Sequence, residues 1–226
     1  MPGNPVVEAV LDSITVPPGA FVVDFACGAG QLGLALAARR PDVSVLGVDH
    51  APGLVERARA NAPDNARFEV MSIEDLALED ASADVAVSLF GVLQVGEPGK
   101  TVRETARILR PGGVLGLAAY VDMRANPLWS ATETVLARHL PPDSLPNPVV
   151  QPSLAGPDAR ERLLHEAGFT SVRTRWFDFP LPLPSFEAAW GLAASPGMFP
   201  VLNDNAEVRE ELREAIVSYE GPGGGS

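Results

Sequence analysis

The stretch Val22-Val23-Asp24-Phe25-Ala26-Cys27-Gly28-Ala29-Gly30-Gln31-Leu32-Gly33 constrains the fold more than any other part of the chain. An apolar run ends on an acid, turns through small residues and opens a helical pattern. Strand, tight turn and helix in that order are the entry to a parallel α/β sheet, whose C-terminal strand edge is where ligands bind. Asp24 puts a carboxylate at that edge, beside the N–H groups of the glycine turn. The spacing Gly28-x-Gly30-x-x-Gly33 is also the dinucleotide fingerprint, so the turn by itself admits more than one ligand.

Strand–helix alternation continues down the chain. A short N-terminal helix is expected over Val6 to Ile14, started by Asn4-Pro5 and ended by Pro17-Pro18-Gly19. Strands are expected at Phe21 to Phe25, Val43 to Val48, Arg67 to Met71, Asp84 to Leu89 and Val114 to Tyr120. Between them Leu32, Ala35 and Leu36, then Leu54, Val55 and Ala58, then Val102, Ala106 and Leu109 mark helical faces. Pro111-Gly112-Gly113 is read as the break between the last of these helices and the fifth strand. Short apolar strands alternating with helices imply a Rossmann-like, doubly wound, mostly parallel sheet covered on both faces. Later come a helix from Pro127 to about His139, a proline-rich connection, a helix around Leu163, Leu164 and Ala167, and a sixth strand over Thr170 to Phe179. A short helix capped by Ser185 and a last helix opened by the capping-box pair Asp204 and Glu207 complete the chain. The whole reads as one domain over 1–226, with 180–220 a helical insertion or cap.

Composition removes several function classes. A net charge of −12, with no cluster of Lys or Arg, argues against nucleic acid and anionic membrane surfaces as partners. The single cysteine, Cys27, permits no internal disulfide and leaves no metal cluster to assemble, so no metal is expected. No apolar run is long enough to span a bilayer, and a cytoplasmic location is the default. The closing Gly221 to Ser226 reads as a turn, a flexible tail or a remnant of cloning.

The acid before the turn discriminates between ligands. A pyrophosphate on a helix N-terminus requires glycine N–H groups and no nearby carboxylate. Asp24 would repel it, whereas an ammonium reverses the sign. The amino-acid end of S-adenosylmethionine carries that ammonium. Asp49, about 20 residues beyond the turn at the end of the second strand, suits the ribose hydroxyls of either cofactor.

Several segments in order support this. Val22 to Gly30 resembles motif I of the class I S-adenosylmethionine-dependent methyltransferases, and Val45-Leu46-Gly47-Val48-Asp49 resembles their acidic second motif. Phe68 to Leu76 resembles the adenine-contacting segment, Asp84 to Val95 the fourth motif, and Arg107 to Leu115 the helix–Pro-Gly-Gly–strand signature. His165-Glu166-Ala167-Gly168-Phe169 resembles the last helix-to-strand passage. The likeness is to the small-molecule, ubiquinone/menaquinone-biosynthesis-like type. It implies an enzyme with S-adenosylmethionine as cofactor and S-adenosylhomocysteine as product. Asp24 and the backbone of Ala26, Gly28 and Gly30 would hold the methionine moiety, and Asp49 the ribose. His50 would lie beside the adenosine, Ser72, Ile73 and Glu74 along the adenine, and Leu89 and Phe90 near the sulfonium. Ala26 stands where a glycine is usual and Ser72 where an acid is usual. The family's closing antiparallel strand has no counterpart after Tyr219, so a shortened chain is expected.

The acceptor pocket is expected from the segments after the fourth and fifth strands and from the insertion: Val92, Leu93, Gln94, Tyr120, Trp129, Phe186, Trp190, Met198 and Phe199. Aromatic packing of the cap is the competing reading for the Trp and Phe residues. Asp122 is the one weak candidate for a catalytic base. Apolar candidates suggest a small, fairly hydrophobic acceptor, methylated on O, N or C. Two other functions stay open at the level of sequence: a cofactor-binding enzyme that catalyses cyclisation or rearrangement, and an NAD(P)-dependent oxidoreductase.

Overall fold

In the computed structural model, residues 4–91, 97–119, 127–141, 157–177, 185–194, 202 and 205–217 are described. The chain divides into two compact units, Met1–Tyr120 with Gly156–Phe179, and Val121–Ala155 with Pro180–Ser226.

The first unit holds α1 (Pro5–Ser13), β1 (Phe21–Phe25), α2 (Gln31–Arg39), β2 (Ser44–Asp49), α3 (Pro52–Arg59), β3 (Ala66–Val70), β4 (Ala83–Leu89), α4 (Pro98–Ile108), β5 (Leu109–Ala118) and α6 (Pro157–Glu166). Its five strands form one sheet in the order β3-β2-β1-β4-β5, all pairs parallel. The chain runs outward from β1 to β3, then returns to the other side for β4 and β5. The direction of winding therefore reverses between β1 and β4, and the crevice at such a switch point is where open α/β sheets bind ligands.

Local sequence accounts for most of these elements. Asn4 caps α1, its side-chain oxygen accepting from the Val6 N–H at 3.0 Å, with Pro5 in the first turn. β1 is central, so Val22, Val23, Asp24 and Phe25 are all buried and the strand reads as a continuous run rather than an alternation. One sheet face packs Val22, Val45, Val85 and Val87 against Val7 and Val10 of α1 and Leu32 and Leu36 of α2. A smaller cluster gathers Cys27, Val55, Ala58 and Phe68 beneath the glycine turn.

Two sequence expectations are corrected. α4 ends at Ile108, and β5 already begins at Leu109, which pairs with Ala83. Pro111-Gly112-Gly113 thus lies inside the strand as an irregularity between the pairings of Ala83 and Val85, where an edge strand tolerates a proline. The sixth strand is absent over the described part of its range. Residues 170–177 carry no ladder, and Trp176 and Phe177 are each 52% exposed. Alternating side chains favour an extended chain, but a strand also requires a backbone ladder to a neighbouring strand.

The second unit contains α5 (Pro127–His139), α7 (Phe186–Ala193) and α8 (Ala206–Val217). α5 buries Leu128, Trp129, Thr132, Val135 and Leu136, α7 buries Ala189 and Trp190, and α8 buries Val208 and Leu212. Ser185 caps α7 through its hydroxyl, which accepts from the Ala188 N–H at 3.2 Å. The cap of α8 is Asn205, accepting from the Val208 N–H at 3.1 Å, one residue after the cap expected from sequence, Asp204, which lies outside the described residues. Among the described residues no helix is long and apolar enough to cross a membrane.

Candidate functional site

The site forms where β1, β2 and β4 end. After Phe25 the backbone turns through Ala26 in the left-handed region, φ +53°, and the Cys27 N–H donates to the Val48 carbonyl at 3.0 Å. The glycine turn is thereby folded over the end of β2. Asp49 leaves β2 at that point. Its carboxylate accepts from the Gly28 N–H at 2.8 Å and from the Ala51 N–H at 2.9 Å, one bond to each oxygen. Both oxygens keep a second lone pair, so the group is oriented without being saturated.

The three fingerprint glycines answer to different demands. Gly28 is open: a Cβ there would meet nothing within 4 Å. Gly30 has φ +84° and begins α2, and a Cβ on it would press on Ala58 and Phe68 at 3.0–3.1 Å. Gly33 answers to Asp24, because a Cβ at Gly33 would lie 2.9 Å from Asp24 Oδ2. That oxygen instead accepts the Gly33 N–H at 2.8 Å. The third glycine therefore makes room for the Asp24 carboxylate beneath the turn.

Asp24 sits wholly buried beneath the turn rather than on its surface. Burial pushes its carboxyl up to about 7, against the opposing pull of the Gly33 N–H and with a further push from the charge of Asp49. Its Oδ1 has no hydrogen-bond partner among the described residues, and neither does the buried hydroxyl of Ser88 on β4. The Cys27 thiol is held far above its ordinary range by burial and by Asp24 and Asp49, which makes it an inert packing group.

The remaining cofactor positions surround the same edge. His50 is exposed, its Nδ1 3.5 Å from Asp49 Oδ1. The Met71 N–H donates to the Asp49 carbonyl at 2.9 Å, which brings Ser72, Ile73 and Glu74 next to β2 as they leave β3. Ser72 accepts the Glu74 N–H at 3.2 Å, Ile73 is buried, and Glu74 accepts the N–H of Glu97 at 3.1 Å, just before α4. Leu89 ends β4, and Phe90 follows at φ +66° with its N–H on the Ala118 carbonyl at 2.9 Å. The turn's own N–H groups are partly used: Gly28 serves Asp49, and Gly30 donates to the Cys27 carbonyl at 2.9 Å. Free lone pairs on Asp49 and open space over Gly28 fit a ligand carrying hydroxyls.

The acceptor-side residues fall in the second unit or outside the described residues. Val92, Leu93, Gln94, Tyr120, Met198, Phe199 and the base candidate Asp122 lie outside them. Trp129 and Trp190 are buried. Phe186 and Trp190 have ring centroids 6.0 Å apart, and Arg209 of α8 lies over both rings. Two histidines are engaged structurally: His165 bonds the Phe169 carbonyl at 2.7 Å and His139 bonds Glu211 at 2.9 Å. His139, Glu207 and Glu211 bring their ligand atoms within 4.8 Å of one another, and Arg138 also reaches Glu211, so the group joins α5 to α8 by ion pairing.

Residues 22–113 match the family model described as "Methyltransferase domain". This stretch is similar to a methyltransferase domain. The ubiquinone biosynthesis O-methyltransferase of Xanthomonas axonopodis pv. citri is 36% identical over 119 residues, which is 51% of this chain and 49% of that protein. The arsenite methyltransferase of Halobacterium salinarum is 32% identical over 175 residues, 75% of this chain and 41% of that protein. The chain spans about half the length of the curated relatives it matches. Among solved structures, the YcgJ protein of Bacillus subtilis aligns with a TM-score of 0.66 at 18% identity, covering 93% of this chain and 82% of that one. The [4+2]-cyclase SpnF aligns at 0.61 with 20% identity, covering 96% and 75%. Asp24 and Asp49 stand near the ends of β1 and β2, as their place in the sequence suggests, whereas the buried Ser88 hydroxyl was not singled out, because a serine within an apolar strand carries no local signal of what it faces.

Proposed function

We propose that this chain binds S-adenosylmethionine at the β1–β2 edge and transfers its methyl group to a small, fairly hydrophobic acceptor. The observation that carries the reading is the Asp49 carboxylate, aimed by two backbone N–H groups beside an open glycine turn, with lone pairs left for two ribose hydroxyls. Asp24, buried beneath the turn, would favour the ammonium of the methionine end through its charge. Ser72, Ile73 and Glu74 would border the adenine, His50 would cover the adenosine from solvent, and Leu89 and Phe90 would face the reacting end. The cofactor supplies a methyl already activated on sulfonium. The protein's part is then to hold donor and acceptor in line and to exclude water, and that proximity supplies much of the rate. Trp129, Phe186 and Trp190, with Val92, Leu93, Gln94, Tyr120, Met198 and Phe199, are the candidates for the acceptor side. We read the protein as cytoplasmic, the default for a chain with one cysteine and no apolar run long enough to span a bilayer.

Calorimetry tests the cofactor assignment. S-adenosylhomocysteine should bind, NADH should not, and Asp49→Ala should weaken binding by about 1.5–3 kcal/mol through loss of a charge-assisted bond. Unchanged affinity in Asp49→Ala would refute the ribose assignment. The same fold serves a [4+2]-cyclase, so fold does not separate methyl transfer from cyclisation. Label from methyl-labelled S-adenosylmethionine appearing in a small molecule of a cell extract does separate them.

A further inference from the structure

We propose that Ala26 is a positioning residue, whose methyl group fills the place of the side chain that Gly91 lacks and so locks the β1 turn to the β4 turn. Ala26 carries a Cβ in the left-handed region, φ +53°, which residues with side chains disfavour. Nothing in the turn itself asks for that methyl, and a glycine would adopt the same backbone without strain. Its partner lies across the sheet. A Cβ built on Gly91 would stand 2.1 Å from the Ala26 Cβ, and 3.3 Å from both the Ala26 carbonyl oxygen and the Ser88 hydroxyl. One methyl fits between the two turns and two do not.

The location gives the contact its function. β1 and β4 are neighbours, and the winding of the sheet reverses between them, so the two turns border the switch-point crevice. The β4 turn is itself held in an unfavourable shape, with Phe90 at φ +66° and its N–H tied to Ala118. Two neighbouring non-glycine residues in the left-handed region persist only when their surroundings over-determine them, and such strain collects at functional sites. The Ala26 methyl supplies that determination. It sets the spacing between the turn assigned to the methionine end of the cofactor and the turn assigned to its reacting end. This step rests on the cofactor reading above.

A double-mutant cycle tests it, with Ala26→Gly, Gly91→Ala and the pair, reading S-adenosylhomocysteine affinity by calorimetry and Tm by differential scanning calorimetry. Ala26→Gly should keep or raise Tm, since strain is relieved, yet weaken binding at least about fivefold. Gly91→Ala should lower both. The double variant, with the methyl supplied from the opposite side, should recover affinity to within about threefold of wild type. A double variant no better than Gly91→Ala, or an Ala26→Gly whose affinity is unchanged, overturns the proposal. Were Gly91→Ala not to fold, Ala26→Gly and the double variant still decide between these outcomes. A wild type that binds neither S-adenosylhomocysteine nor S-adenosylmethionine brings down the cofactor reading itself, and this proposal with it.

Discussion

At the scale of single residues, Asp24 and Gly33 form one unit written nine positions apart. The carboxylate occupies the space a side chain at 33 would need and takes the Gly33 N–H. Gly33→Ala should therefore destabilise the fold by about 1–3 kcal/mol through overpacking, and less in an Asp24→Ala background, as measured by urea denaturation. Asp24 also makes a pH signature. Its carboxyl is raised from 3.8 to about 7 in the folded protein, so between those values the unfolded chain has lost a proton that the folded chain keeps. Its contribution is fully present below pH 4 and lost as pH rises to about 7, a span of up to about 4 kcal/mol at 1.36 kcal/mol per unit. Asp24→Asn, which keeps the acceptor for Gly33, should flatten the fall of stability between pH 4 and 7 and leave a more stable protein at pH 8. Denaturant midpoints across that range measure it.

At the scale of elements, the segment between β3 and β4 is held by one side chain. Arg107 on α4 donates to the carbonyls of Leu76 at 2.9 Å and Leu78 at 2.8 Å, and pairs with Glu104 and Asp80. These partners hold the guanidinium well above its usual range, with Glu104 the largest contributor. The Leu76 N–H in turn donates to Glu104 at 2.8 Å, so α4 clamps the stretch that follows the adenine-side residues. Arg107→Met should cost about 1–3 kcal/mol, toward the lower end because the group is partly exposed, and should raise amide hydrogen exchange over residues 71–80. A second staple lies nearby: Asp84 accepts the Phe21 N–H at 2.8 Å and pairs with Arg110, tying the starts of β1, β4 and β5 together.

At the scale of the molecule, the buried core serves to hold three strand ends in register, and cofactor binding should report on that whole unit. At a concentration of S-adenosylhomocysteine a hundredfold above its Kd, linkage adds about 2.7 kcal/mol of stability. For a chain of this size that raises Tm by roughly 5–10 °C. NADH at the same concentration should leave Tm unchanged, because the Asp24 carboxylate beneath the turn opposes the negative pyrophosphate. Differential scanning calorimetry with each ligand checks both statements.

Much of this was legible from the order of residues. Strand–helix alternation, the run from Val22 to Phe25, the caps at Asn4 and Ser185, and the acids ending β1 and β2 are local patterns, and local patterns are written in sequence. The pairing of Leu109 with Ala83 and the failure of residues 170–177 to form a strand were not, because a ladder depends on which neighbour the chain meets. The burial of Asp24 beneath the turn, the use of Gly28 to aim Asp49, and the fit of the Ala26 methyl against Gly91 are contacts between segments far apart in the chain. Sequence alone determined the residue types at the strand ends and the ligand class they suit. Their burial, their orientation and the partners that hold them came from packing, which brings together residues that no local pattern links.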